Sequence, residues 1–274
     1  MDINVIKVMF RKLLDALRYQ SAPAQPPADS PADRLKDAFT VVSDGITIRG
    51  RIFFPVAHPS RLYPAIIICH GIPGSGAPRP SGDPGYEAVA EEFASLGIVS
   101  VIFNFRGCGD SGGDFDMMGW THDLEAVLDK ILNTPHVDPT RLILLGYSGG
   151  GAASIRVASD NPNIYGLAAV GTPAHFEAFK GEPEEIVADF KERGIIKDAD
   201  FPPDLDRWIN GFREIEPRRW ISHFNGKHLL IVHGDRDELI PARQAQELFE
   251  RAPKGVAELS VIPGGLHRLR LDKR

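Results

Sequence analysis

The chain has 274 residues, 43% hydrophobic and 25% charged, with a net charge of −6 and a pI near 5.9. It carries no basic cluster and no aromatic–basic interleaving, which argues against a nucleic-acid surface, and its two cysteines cannot build a disulfide framework. The balance is that of one soluble globular domain long enough for a large core.

Over residues 1–19, Ile3, Ile6, Phe10, Leu13, Leu14 and Leu17 recur at three- and four-residue steps, the spacing of an amphipathic helix. Asp2, Lys7 and Arg11 interrupt the apolar run, which reads against a secretory leader or a membrane span, and the protein is read as cytoplasmic. Residues 20–33 are rich in proline, alanine and serine and read as a linker, so 1–33 forms an arm and 34–274 the globular domain. Residues 39–43 and 46–54 suit a hairpin around Asp44-Gly45. A strand over 66–68 comes next, then a helix over 86–96 ending at Gly97, a strand over 98–103 and a helix over 117–132. Cys69 closes an apolar run and Cys108 lies in a loop, so both are expected as free thiols.

The apolar run Leu142-Ile143-Leu144-Leu145 leads directly into Gly146-Tyr147-Ser148-Gly149-Gly150. A serine flanked by glycines between a buried strand and a helix has the pattern of a nucleophile elbow, whose turn tolerates only small residues at its two ends. The alternative is a turn that needs glycine for backbone geometry alone. A strand near 167–170 follows. Residues 176–224 then break the rhythm, with a helical pattern over 184–191 and the aromatics Phe201, Trp208 and Trp220. We read this stretch, within an insertion at about 173–226, as a small helical cap whose aromatics either line an acyl or aryl pocket or pack the cap on the body. A further strand over 229–232 ends in a turn holding Asp235 and Asp237. The last, from Leu259, ends in a glycine-rich turn and His267. Serine, acid and histidine in that order can form a charge-relay set. A hydroxyl needs an imidazole to take its proton, and the imidazole needs an acid to fix its tautomer. The alternation of strands and helices implies an α/β fold, a mostly parallel sheet with helices on both faces and ligands at the carboxyl ends of its strands.

Tyr63-Pro64-Ala65-Ile66-Ile67-Ile68-Cys69-His70-Gly71-Ile72-Pro73-Gly74 and Asn104-Phe105-Arg106-Gly107-Cys108-Gly109-Asp110-Ser111-Gly112-Gly113 complete a set of five ordered motifs. With them the sequence resembles the α/β-hydrolase superfamily, in particular its small bacterial serine esterases of the feruloyl and cinnamoyl type and its acyl-peptidase-like branch. The resemblance runs from about 38 to 267. It implies Ser148 as nucleophile, His267 as base and, from the pattern HGxxDxxVP, Asp237 as the acid, with Asp235 holding the turn. It places the oxyanion hole at the backbone N–H groups of Ile72 and Gly149, since Pro73 cannot donate. His70 and His233, each before a glycine, are implied as loop-holding residues. Arg106 is implied to shape its loop, with no partner identifiable in sequence.

The resemblance implies a carboxylic-ester hydrolase working through an acyl-enzyme on a small-molecule ester, of modest size given the short cap, and without metal or organic cofactor. The alternatives are an acylaminoacyl or dipeptidyl peptidase-like enzyme, a thioester hydrolase, or a hydrolase-like binding protein. Only seven residues follow His267, where such hydrolases usually add a helix, so one flank of the sheet is expected to lack its usual cover. The apolar stripe on 1–19 must be buried against its own body or a second subunit. The length of the linker favours a homodimer through this arm. The weakly basic polar face (Lys7, Arg11, Lys12 and Arg18 against Asp2 and Asp15) disfavours a membrane surface.

Overall fold

The computed structural model describes residues 36–55, 62–74, 85–176 and 181–269; the helix expected over 1–19 and the linker over 20–33 lie outside the described residues. Among the described residues there are eight strands: β1 (Lys36–Ser43), β2 (Ile46–Phe53), β3 (Tyr63–Cys69), β4 (Val99–Asn104), β5 (Val137–Tyr147), β6 (Ile164–Val170), β7 (His228–Gly234) and β8 (Ala257–Ile262). They form one sheet in the order β1-β2-β4-β3-β5-β6-β7-β8. The β1–β2 and β2–β4 pairs are antiparallel and the other five are parallel. The hairpin turns at Asp44 and Gly45, both at positive φ (50° and 78°), as a two-residue turn matching strand twist requires.

The centre of the sheet is parallel because its strands can be buried on both faces. All seven residues of β3 are buried. Successive side chains point to opposite faces, so Ile66 and Ile68 meet Val89 and Phe93 of α1 (Gly85–Ser95). Ala65 and Ile67 share the other face with Trp120 and Leu124 of α2 (Met117–Leu132) and Ala152 and Ile155 of α3 (Gly149–Asp160). Asp116 caps α2 by accepting the Met118 N–H at 3.1 Å.

Between β6 and β7 lie α4 (Pro183–Glu192), α5 (Leu205–Glu214), α6 (Pro217–Trp220) and a single 3₁₀ turn, Ile221–His223; α7 (Arg243–Arg251) connects β7 to β8. These helices lie in the stretch expected as a cap, and among the described residues its tryptophans are not on the wall of the cleft beside Ser148. Trp208 is buried among Phe115, Phe190 and Phe212 and donates its indole N–H to the Phe115 carbonyl at 2.9 Å. Trp220 donates to the Glu214 carbonyl at 2.6 Å, and the Arg156 guanidinium stacks on its ring at 3.9 Å. Phe201 packs on the core. These rings clamp the insertion to the body, the second of the two roles open to them, because a Trp that can pair its N–H and bury its ring gains more there than in a wet cleft.

The loop after β4 is tied down by Arg106. Its guanidinium binds both carboxylate oxygens of Asp123 (Nη2–Oδ1 2.8 Å, Nε–Oδ1 3.0 Å, Nε–Oδ2 3.2 Å) and reaches Ser43 Oγ at 3.0 Å and Asp44 at 2.9 Å. Asp123 also accepts the Arg106 backbone N–H at 2.8 Å and is fully buried. Removing Asp123 leaves the buried Arg106 guanidinium with the half-exposed Asp44 as its remaining carboxylate partner. Asp123→Ala should therefore cost about 3–5 kcal/mol in a urea unfolding measurement, and a loss within that of a surface substitution would show that the pair is not a keystone.

Candidate active site

The turn from β5 into α3 holds Ser148 at φ 51°, ψ −122°, a conformation rare for a residue with a side chain. Its neighbours make the turn possible. A Cβ on Gly146 would lie 2.4 Å from the Gly151 Cα, and one on Gly150 would lie 2.2 Å from the His70 carbonyl oxygen. The serine hydroxyl makes no capping bond to α3 and is left to face the carboxyl end of the sheet.

His267, after β8, fills the space beside it. Its Nε2 lies 3.1 Å from Ser148 Oγ and its Nδ1 2.8 Å from Asp237 Oδ2. With the acid on the Nδ1 side, the imidazole proton sits there and Nε2 is free to accept the serine proton. Asp237 follows β7 and its side chain is fully buried. Burial alone would raise its pKa. The hydrogen bonds from His233 and His267 and from the Ile240 amide outweigh that effect and hold the carboxyl well below the usual carboxylate range. Asp235 is turned away, its Oδ1 accepting the Gly264 N–H at 2.5 Å. It pins the β8 turn and does not meet His267.

The two expected oxyanion donors flank the serine. A Cβ on Gly71 would sit 3.0 Å from Ser148 Cβ, and one on Gly149 would sit 3.6 Å from the Ile72 nitrogen. Gly149 is the first residue of α3, where an amide has no partner in the helix ladder. His70 holds the other half. Its Nδ1–H donates to the Gly71 carbonyl at 2.8 Å while its Nε2 accepts the Phe105 N–H at 3.1 Å. The Gly71 carbonyl and the Ile72 N–H belong to one planar peptide, so fixing the carbonyl aims the amide.

The His70 ring is buried against Phe105 and Trp120, and burial pushes its pKa below the ordinary histidine value, against a smaller opposite pull from the Gly71 carbonyl. In the unfolded chain the same ring takes up a proton near pH 6.5. Below that pH the unfolded state binds more protons than the folded one, so stability falls as pH falls. The melting temperature should drop between about pH 7.5 and 5.5, and His70→Asn should flatten part of that slope. An identical slope in the variant would remove His70 from the account.

The site opens into a cleft of about 1130 Å³ whose walls include Ile72, Tyr86, Val170, Phe176 and Leu239. Among the described residues, Phe176 is the one phenylalanine, tyrosine or tryptophan of the insertion on this wall. Cys69 and Cys108 are free thiols, as expected, and burial pushes both up to about 12, which keeps them protonated and inert. Among the described residues no group of three or more His, Cys, Asp or Glu side chains is placed to hold a metal ion, and no helix is long and apolar enough to cross a membrane.

Two contacts could not be read in advance. Asp123 lies on the inward stripe of α2 with Trp120, Leu124 and Val127, a charge in a core position that signals a partner without naming it. His233 reaches Asp237 from inside β7, and nothing in its flanking residues shows which way the ring points.

The sequence profile of the prolyl oligopeptidase family matches residues 84–273. The chain belongs to that family. Members of the hydrolase class around it are similar over most of its length. A monoacylglycerol lipase of Mycolicibacterium smegmatis is 24% identical over 218 residues, covering 67% of this chain and 76% of the relative. An uncharacterized peptidase of Bacillus subtilis, YuxL, is 25% identical over 237 residues, covering 82% of this chain and 34% of its own length. The chain thus spans about a third of that relative. Among solved structures, Est1E from Butyrivibrio proteoclasticus with bound ferulic acid superposes with a TM-score of 0.63 at 24% identity, covering 84% of this chain and 90% of that one. Dipeptidyl peptidase 4 of Porphyromonas gingivalis gives 0.62 at 19% identity, over 85% of this chain and 32% of that one. These structures share the α/β-hydrolase fold, and this member of the prolyl oligopeptidase family is an α/β hydrolase.

Proposed function

We propose that the chain is a serine carboxylic-ester hydrolase with Ser148, Asp237 and His267 as its triad. The observation that carries this is the unbroken line from Asp237 Oδ2 to His267 Nδ1 (2.8 Å) and from His267 Nε2 to Ser148 Oγ (3.1 Å). Ser148 Oγ attacks the ester carbonyl as His267 Nε2 takes its proton, and Asp237 stabilises the imidazolium. The amides of Ile72 and Gly149 hold the developing oxyanion. The tetrahedral adduct collapses as His267 returns the proton to the leaving alcohol, giving the acyl-enzyme. A water deprotonated by the same nitrogen then attacks the acyl carbon and releases the acid and Ser148.

A peptidase reading is favoured by the family and by the longer peptidase relatives, and it uses the same residues. Turnover of p-nitrophenyl esters of increasing chain length, of methyl ferulate and of an aminoacyl anilide separates the two. Ester turnover with an inert anilide supports the proposal; the reverse overturns it. Because the Ile72 donor is a peptide group, Ile72→Ala should keep most activity, whereas Ile72→Pro should lose roughly 10²–10³ in kcat. Equal small effects in two variants of native circular dichroism would remove Ile72 from the role. The proposal takes a small-molecule ester as partner and extends to a homodimer through residues 1–33, which the light-scattering mass of the full chain against residues 34–274 decides.

A further inference from the structure

His233 sits in β7 with no exposed surface. Its Nε2 is 3.0 Å from Asp237 Oδ2 and 2.8 Å from the Ile240 carbonyl oxygen. Both neighbours are acceptors, so the ring proton is on Nε2 and is shared between them. The buried Nδ1 has no hydrogen-bond partner, and a proton there would have nowhere to point. One tautomer satisfies this site. The Asp237 carboxylate is then gripped on all sides: Oδ1 accepts the Leu239 and Ile240 amides at 2.9 and 2.8 Å, and Oδ2 accepts His233 and His267. The segment 237–240 is closed on itself around the His233 ring, since both its ends, the Asp237 side chain and the Ile240 carbonyl, land on one N–H.

We infer that His233 is a positioning residue of the reaction, a buried donor that fixes the orientation and charge of the Asp237 carboxylate toward His267. This rests on the ester-hydrolase reading of the same site. Two physical consequences distinguish it from a residue that only fills space. Four fixed donors leave the carboxylate no torsional freedom, so Oδ2 stays on the line to His267 Nδ1 throughout turnover. The His233 donor also withdraws negative charge from Oδ2, so less of it is available to hold a proton on His267. Among the described residues, the ionisable neighbours of His267 besides Asp237 include Glu238, whose Oε2 accepts the His267 backbone N–H at 3.1 Å, and the adjacent Arg268. Neither side chain hydrogen-bonds to His233.

The test compares His233→Leu with His233→Gln in the full chain, using a p-nitrophenyl ester and counting active sites with a fluorophosphonate. His233→Leu should lower kcat per titrated site by roughly 10- to 100-fold with KM within about twofold, and should move the acid limb of kcat/KM to higher pH. His233→Gln, whose amide nitrogen reaches about as far as Nε2, should recover most of both. If His233 only packs the strand, both variants lose melting temperature while kcat per site and the acid limb stay where they were, and the inference is overturned. Should His233→Leu fail to fold, ¹⁵N chemical shifts of the wild-type histidines serve instead. A neutral Nε2–H form for His233 supports the inference, and an Nδ1–H or doubly protonated ring overturns it. Wild-type protein that neither turns over esters nor reacts with the fluorophosphonate would sink the ester-hydrolase reading itself, and His233 would lose its role with it.

Discussion

Replacing Ser148 or His267 by alanine is expected to lower kcat by roughly 10⁴–10⁶, and replacing both to lower it little further. The non-additivity follows from the geometry. The 3.1 Å contact between Ser148 Oγ and His267 Nε2 makes a single unit for proton transfer, and a unit broken once cannot be broken again. What survives should be the residual acceleration of the proposed oxyanion amides and of binding, since Gly149 and Ile72 would act through backbone groups that neither substitution removes. Ester hydrolysis of the two single variants and the double variant, with folding checked by circular dichroism, measures this directly. A double variant about a thousandfold slower than either single one would show that the two side chains act separately.

The acid side of the relay gives the second large effect. Asp237→Asn is expected to cost on the order of 10⁴ in kcat, because the amide that replaces the carboxylate favours the wrong imidazole tautomer. That magnitude is the one established for the chymotrypsin-type proteases and is carried over to this site. Asp235→Asn should cost far less, since Asp235 accepts the Gly264 N–H and does not reach the histidine. The pair is a sharp comparison because both carboxylates stand on the same turn, two residues apart. If Asp235→Asn were the more damaging, the relay would have to run through a conformation different from this one.

Much of this site was legible because its chemistry is written in short, local patterns. The apolar run of β5 leads into Gly146-Tyr147-Ser148-Gly149-Gly150, a pattern that suits a tight strand-to-helix turn, and a Cβ at Gly146 or Gly150 would collide with backbone. The choice of Asp237 over Asp235 rests on a family pattern, not on physics visible in the chain; in the structure it is Asp237 that lies 2.8 Å from His267 Nδ1. Less legible were the features whose partners lie far off in sequence. Arg106 meets Asp123 across 17 residues and Asp44 across 62, distances at which no periodicity points from one to the other. The helix α7 is hard to read in sequence because it is short and its inward apolar stripe is only Ala245, Leu248 and Phe249. The aromatics of the insertion were ambiguous in principle, because a tryptophan reads alike in a core and in a pocket until its N–H finds an acceptor.

That last point changes what the insertion can do in a working enzyme. Phe115 donates its backbone N–H to the Ile195 carbonyl at 2.8 Å and accepts the Trp208 indole N–H at 2.9 Å, so one residue at the head of α2 holds both the loop after α4 and the helix α5. Swinging these helices aside would strip several large rings from their neighbours at once, each worth roughly 1.5–3 kcal/mol, far more than a passing substrate can supply. Among the described residues they are a fixed part of the body. Under the proposed ester-hydrolase reading, no swing of these helices at an oil–water interface is therefore expected. Turnover should rise smoothly with dissolved ester and show no jump where micelles form.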